Sequence, residues 1–152
     1  MKYIIPLELV ELEEGNYHLA VKSVFEDGTG LTWVIDTGAS KTVFDRTLSS
    51  FYIPVPEEAG TKVRSAGIGT GQPETSLGRL RYFSLAEFPI PSLDVALIDL
   101  SHINDLYLHA AARTICGLIG SDLLVKYKAV IDYSRLKLTL TAPKHRGNTL
   151  RQ

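Results

Sequence analysis

Apolar and polar residues alternate in short runs along the first thirty-five positions, the period of strands rather than helices. Ile4 to Leu12 reads as extended, with Leu7 and Leu9 in one phase and Val10 and Leu12 in the other. That slip marks a bulge or a strand that changes neighbours. A turn at EEGN leads into a second strand, Tyr17 to Phe25, and a turn at EDGTG into a third, Leu31 to Ile35. This three-strand meander ends at Asp36. Lys41 to Ser50 reads as a short strand followed by a turn of helix, and strands return from Leu77 to Leu100. SHINDLYLHAAART, residues 101–114, is polar and ambiguous, either loop or short helix. Ser121 to Tyr127 is the clearest helix, with Ser121 as N-cap and Asp122 in the first turn. KAVIDYSRLKLTL then forms a hairpin around Asp132–Arg135, and the polar stretch from Ala142 to Gln152 frays. The pattern predicts a mainly β chain: one domain over residues 1–141 and a polar C-terminal tail over 142–152.

Composition narrows the function. The chain has 152 residues, 45% hydrophobic and 22% charged, with a formal net charge of −1. Such a balance gives no long-range attraction to nucleic acid or an anionic membrane, and neither partner is expected. The one cysteine, Cys116, excludes a disulfide framework within the chain and fits a reducing compartment. Beside the next apolar run it reads as a small buried hydrophobe. The opening MKYIIPLELVELEE is too short in apolar run for a signal or a membrane span, so the expectation is a soluble, cytoplasmic protein. Four histidines, His18, His102, His109 and His145, are scattered without zinc-ligand spacing, with His102 and His109 expected at the surface. No metal or other cofactor is expected. Arg79 and Arg81 alternate with Leu80 and Tyr82 as the wet side of a strand, while Trp33 and Tyr17 read as core or near-core aromatics.

Candidate chemistry concentrates in LTWVIDTGAS, residues 31–40. An aspartate leaving a buried strand is costly unless it is hydrogen-bonded, paired or used. Thr37 offers a hydroxyl to brace a turn, Gly38 lets the chain turn tightly, and Ala39 and Ser40 keep the surroundings small. An Asx-turn at a strand end accounts for the same residues without any function. A chance Asp-Thr-Gly-[Ala/Ser] in a chain this long is an event of about one in a hundred on average usage, which shifts the reading toward function.

VIDTGAS resembles the active-site loop of the retropepsin-like aspartic proteases. GLIGSDLL, residues 117–124, is similar to that family's second signature, an apolar pair and a glycine before a short helix. VIDYSRLKLTL, residues 130–140, resembles the closing strands of single-domain bacterial members. The likeness runs from about Val21 to Leu140. It implies a small closed, barrel-like β fold with one short helix near the C-terminus. It makes Asp36 the catalytic residue, supported in its loop by Thr37, Gly38, Ala39 and Ser40. Leu118, Ile119 and Gly120 become the strand threaded beside that loop; GLIG alone is equally a plain core strand. Between the two signatures the family carries a flap. Here Val63–Ala66 would lead in, Leu77–Tyr82 would lead out, and Gly67, Ile68, Gly69, Thr70 and Gly71 would form a substrate-binding tip. A surface hairpin without function fits the same residues. A phosphate-cradling loop does not, because Gln72 and Pro73 follow and no helix starts there.

Peptide hydrolysis without a metal or a covalent intermediate needs one group to take a proton from water and another to protonate the substrate. Two carboxylates about 3 Å apart can divide those roles by sharing one proton. This sequence holds a single Asp-Thr-Gly and no second Asp-[Ser/Thr]-Gly. The implied enzyme is therefore a homodimer giving one Asp36 per subunit, with a peptide or protein as substrate. Thr37 would lock the two loops, and Met1–Leu9 and Leu136–Thr141 would knit the dimer. Two alternatives stand beside this aspartic endopeptidase: a non-catalytic peptide-binding or dimerisation module, and one half of a hetero-paired protease.

Overall fold

Residues 1–56 and 76–144 are described by a computed structural model, and among them strands dominate as expected. In chain order the first are β1 (Lys2–Pro6), β2 (Glu8–Glu13), β3 (Asn16–Phe25), β4 (Gly30–Ile35) and β5 (Val43–Asp45). A 3-10 turn (Ser49–Phe51) precedes β6 (Tyr52–Val55). Next come β7 (Ser76–Leu80), β8 (Phe83–Leu85), β9 (Phe88–Ile90) and β10 (Leu93–Ile98). Helix α1 (Ser101–Ala111), β11 (Gly117–Ile119) and helix α2 (Ser121–Lys126) follow, and β12 (Val130–Asp132) and β13 (Lys137–Thr141) close the described chain. No helix among the described residues is long and apolar enough to cross a membrane.

The slip of phase in the N-terminal stretch is a change of neighbours. β1 pairs antiparallel with β13 in a three-stranded sheet, whereas β2 pairs with β3 in the ten-stranded one. Leu7, buried between them, donates its N–H to the Leu136 carbonyl. Burial accordingly passes from Ile5 and Leu7 to Val10 and Leu12.

The large sheet runs β6-β7-β10-β5-β11-β4-β3-β8-β9. It curls enough that Tyr52 of β6 and Phe88 and Ile90 of β9, from its two ends, share one core cluster with Trp33, Phe44 and Phe83. Trp33 is fully buried, and its indole N–H donates to Ser23 Oγ, which in turn donates to the Leu31 carbonyl. Tyr17 departs from expectation: it is 54% exposed, because its position on β3 faces solvent beyond the edge of the core.

Both short turns between the first strands need a left-handed residue, and glycine supplies it at Gly15 and Gly28. The residues 101–114 that the sequence left open contain an eleven-residue helix, in addition to the expected short one. Asp99 Oδ1 accepts from the Ser101 N–H and hydroxyl at its start, and its end is closed by left-handed Ala112 donating to the Leu108 carbonyl. It packs against Val10, Leu12, Ala20 and Val34, the opposite face of the sheet from the main core.

Candidate active site

β4 runs out of the core between β3 and β11, and Asp36 is the first residue beyond it. The parallel pairing of β11 with β4, Leu118 opposite Val34 and Ile119 opposite Ile35, continues one step past the strand. There the Asp36 N–H donates to the Ile119 carbonyl at 2.9 Å. Ala39 N–H donates to the Asp36 carbonyl at 3.1 Å, and Gly38 N–H to Asp36 Oδ1 at 3.0 Å. The Asx-turn is thus present, and Gly38 needs no left-handed backbone to make it. A Cβ at Gly38 would stand 3.4 Å from Asp36 Oδ1, an ordinary van der Waals contact, so space alone does not demand glycine there. Asp36 and Ala39 are half-buried, while Thr37, Gly38 and Ser40 are exposed at the tip.

β11 and the start of α2 brace the loop from behind. Ser121 N–H donates to the Ala39 carbonyl at 2.7 Å. Gly120 passes so close that a Cβ there would lie 2.7 Å from the Ala39 oxygen. At Gly117 a Cβ would collide with the Val43 carbonyl oxygen and lie 2.8 Å from the Trp33 ring. Gly120, not Ser121, is the N-cap of α2, and no side chain caps the helix; the Ser121 N–H is committed to Ala39 instead. Asp122 does more than face the helix dipole. Its Oδ1 accepts the Thr42 hydroxyl at 2.7 Å and its Oδ2 the Thr42 N–H at 3.1 Å, while Thr42 Oγ1 accepts from the Gly120 N–H at 3.0 Å. Thr42 is wholly buried. Loop, strand and helix are stitched through this one hydroxyl, which nothing in the sequence pattern singled out.

Side chains alternate along β4: Trp33 and Ile35 face the main core, and Val34 faces the cluster under α1. Asp36 falls on the side of Val34. On that side a cavity of about 420 Å³ opens next to it, lined by Leu12, Val34, Ile103, Tyr107, Ile115 and Leu118. Nothing in the residue pattern pointed to it, because its far wall is α1.

Other residues fall as follows. β6 and β7 pair antiparallel, Val55 opposite Leu77 and Tyr52 opposite Leu80. Val63–Ala66 and the tip, Gly67, Ile68, Gly69, Thr70 and Gly71, lie outside the described residues, as does His145. His102 and His109 are exposed on α1, and no cluster of metal-ligating side chains occurs among the described residues. Cys116 is buried, and burial pushes its thiol well above the usual value, which leaves it a core atom rather than a nucleophile. Arg79 and Arg81 are on the wet side, with Arg79 paired to Asp94 at 2.8 Å.

The sequence model of a family described as aspartyl protease matches residues 21–123, from β3 through the braced loop to α2. The chain belongs to the aspartyl protease family. Among solved structures, this aspartyl protease is similar to a retropepsin-like aspartic protease from Rickettsia conorii, with 15% identity and a TM-score of 0.49, over 95% of this chain and 94% of that one. It is also similar to the retroviral protease-like domain of Ddi1 from Leishmania major, with 19% identity and a TM-score of 0.49, over 81% of this chain and 87% of that one. No curated protein matches it.

Proposed function

We propose that the protein is an aspartic endopeptidase whose active site forms between two copies of the chain, each contributing Asp36. The observation that carries this reading is the geometry of the loop. The Asp36 backbone N–H donates to the Ile119 carbonyl and the Gly38 N–H to the half-buried Asp36 carboxylate, while the loop tip at Thr37 and Gly38 is left exposed. One such loop supplies one carboxylate, and the sequence contains no second. A two-fold axis at the exposed tip would bring the two Asp36 side chains together and Thr37 against its counterpart.

In that arrangement the two carboxyls, about 3 Å apart, hold one proton between them. The ionised member takes a proton from water, and the resulting hydroxide adds to the peptide carbonyl carbon. The protonated member donates to the carbonyl oxygen. Collapse of the tetrahedral intermediate breaks the C–N bond, and the proton taken from water passes to the leaving nitrogen. In this reading β6 and β7 would lead into and out of a flap over the bound peptide. The terminal strands β1 and β13 pair with each other inside one chain, which leaves the outer edges of β1 and β12 for contact between copies.

Cleavage of a diverse peptide library, read by mass spectrometry from pH 4 to 7.5, tests the reading with wild type beside Asp36→Asn. The expected result is cleavage by wild type and a loss of at least a thousandfold in the variant, with the fold retained. Equal cleavage by both proteins removes Asp36 from the mechanism. No cleavage by either moves a peptide-binding module or a hetero-pair ahead.

A further inference from the structure

A second cavity opens at the other end of β4. Thr32, in its lining, stands four residues before Asp36, about 13 Å away along an extended strand. The walls also include Leu31, Asp45 at the end of β5, Asn104 of α1, and Arg113 and Thr114 ahead of β11. The volume is about 450 Å³, and only Ile115 is common to this cavity and the one beside Asp36. Its wall holds a carboxylate that the chain leaves half used. Asp45 is 4% exposed. Oδ1 accepts the Thr47 N–H at 3.1 Å, the Thr47 hydroxyl at 2.9 Å and the Leu100 N–H at 3.3 Å. Oδ2 accepts from none of the described residues. Every fully sealed side-chain oxygen or nitrogen among those residues has a partner, so Oδ2 is the atom of Asp45 that stays open, and the cavity is what it opens onto. We propose that this cavity is a binding site for a primary alkylammonium group, paired with Asp45 Oδ2.

Three observations select that chemistry. The bonds from Thr47 make an Asx-turn, which accounts for Oδ1 alone; a carboxylate has two oxygens to satisfy, and burying one without a partner is costly. The cations that could have served are engaged elsewhere. Arg113 donates to Glu8 through Nη1 at 2.7 Å and Nη2 at 2.6 Å, which also offsets the charge it would turn on a second cation. Arg46 lies 4.0 Å from Asp99, and no ion pair to Asp45 occurs among the described residues. Those residues form no cluster of three metal-ligating side chains either, so the site offers too few oxygens for a metal ion and enough for an ammonium. The Thr32 and Thr114 hydroxyls can accept its remaining N–H groups, while Leu31, Leu48 and Ile115 give an alkyl body apolar walls. An anion drawn by Arg113 would meet Asp45 itself.

The test is titration of the isotope-labelled full chain with n-butylammonium, read from the amide resonances of Thr47 and Leu100, which donate to Asp45. Saturable shifts are expected, with a dissociation constant below about 10 mM. n-Butanol, nearly the same shape without the charge, should bind at least about tenfold more weakly. Asp45→Asn keeps Oδ1 as an acceptor and should weaken n-butylammonium by at least about tenfold. Thr114→Trp fills the cavity from an exposed position and leaves the Asp45 bonds alone, so it should weaken binding as much even where the Asn variant does not fold. Asp99→Asn, which removes an exposed carboxylate outside the lining, should leave the affinity unchanged. Nα-acetyl-lysine methylamide separates two sources of the same group. Binding as tight as that of n-butylammonium upholds the site for a lysine side chain, and exclusion upholds it for a free amine. The inference is overturned by the absence of a saturable shift at about 50 mM, by equal binding of n-butanol, or by unchanged affinity in a folded Asp45→Asn or in Thr114→Trp. None of these readouts uses cleavage, so the role of Asp36 stands or falls separately.

Discussion

Thr42 is wholly buried and makes four hydrogen bonds, three of them to Asp122 and Gly120. Thr42→Val keeps the shape but leaves Asp122 Oδ1 without its hydroxyl donor and the Gly120 N–H without an acceptor, both at the back of the Asp36 loop. The expected loss is about 1–3 kcal/mol in urea unfolding, with Thr42→Ser recovering most of it. A Thr42→Val protein as stable as wild type would mean that the network contributes nothing net. Gly120 acts by absence. A methyl there must displace the Ala39 or Lys41 backbone, so Gly120→Ala should cost about 1–3 kcal/mol and shift the loop that carries Asp36. Cleavage activity should then fall more steeply than the melting temperature alone explains. At this scale the sequence was half legible. Asp36, Gly38 and Gly120 announced themselves by motif, whereas Thr42 is one hydroxyl among many until the fold buries it.

Strands were easy to find because the alternation of buried Val21, Ser23 and Phe25 with exposed Lys22 and Val24 repeats the pleat. Helix α1 was not, for a physical reason: Tyr107 is its only buried residue, its N-cap position is Leu100 rather than a capping residue, and its packing is against strands distant in sequence. Part of what holds it is the pair that Arg113, just beyond its end, makes with Glu8 on β2, at 2.7 and 2.6 Å. The hydrogen bond from Arg113 holds the Glu8 carboxyl below the usual glutamate range. A depressed carboxyl stabilises the fold above its ordinary pKa, near about 4, and that contribution disappears as the pH falls through the depressed value. Wild type should therefore melt above Glu8→Gln at pH 7, by less than about 1 kcal/mol because both side chains are partly exposed, and the gap should close toward pH 3. A gap that persists at pH 3 would assign the difference to packing rather than charge.

Over the whole molecule, the proposed sharing of a site between two copies would tie activity to concentration. Specific activity of the wild type should fall on dilution through the dissociation constant of the dimer, and sedimentation velocity should place the midpoint at the same concentration. Activity that is constant down to a sedimenting monomer would require the second carboxylate from elsewhere. The terminal sheet adds a matter of timing. β1 and β13 stand far apart in the sequence, yet Lys2 sits opposite Thr141 and Leu7 depends on Leu136. Closing a contact across nearly the whole chain is slow and comes late in folding. Until β13 has been made, Ile5 and Leu7 have no strand to pack beside, so a chain cut short before residue 137 should be unable to close this sheet.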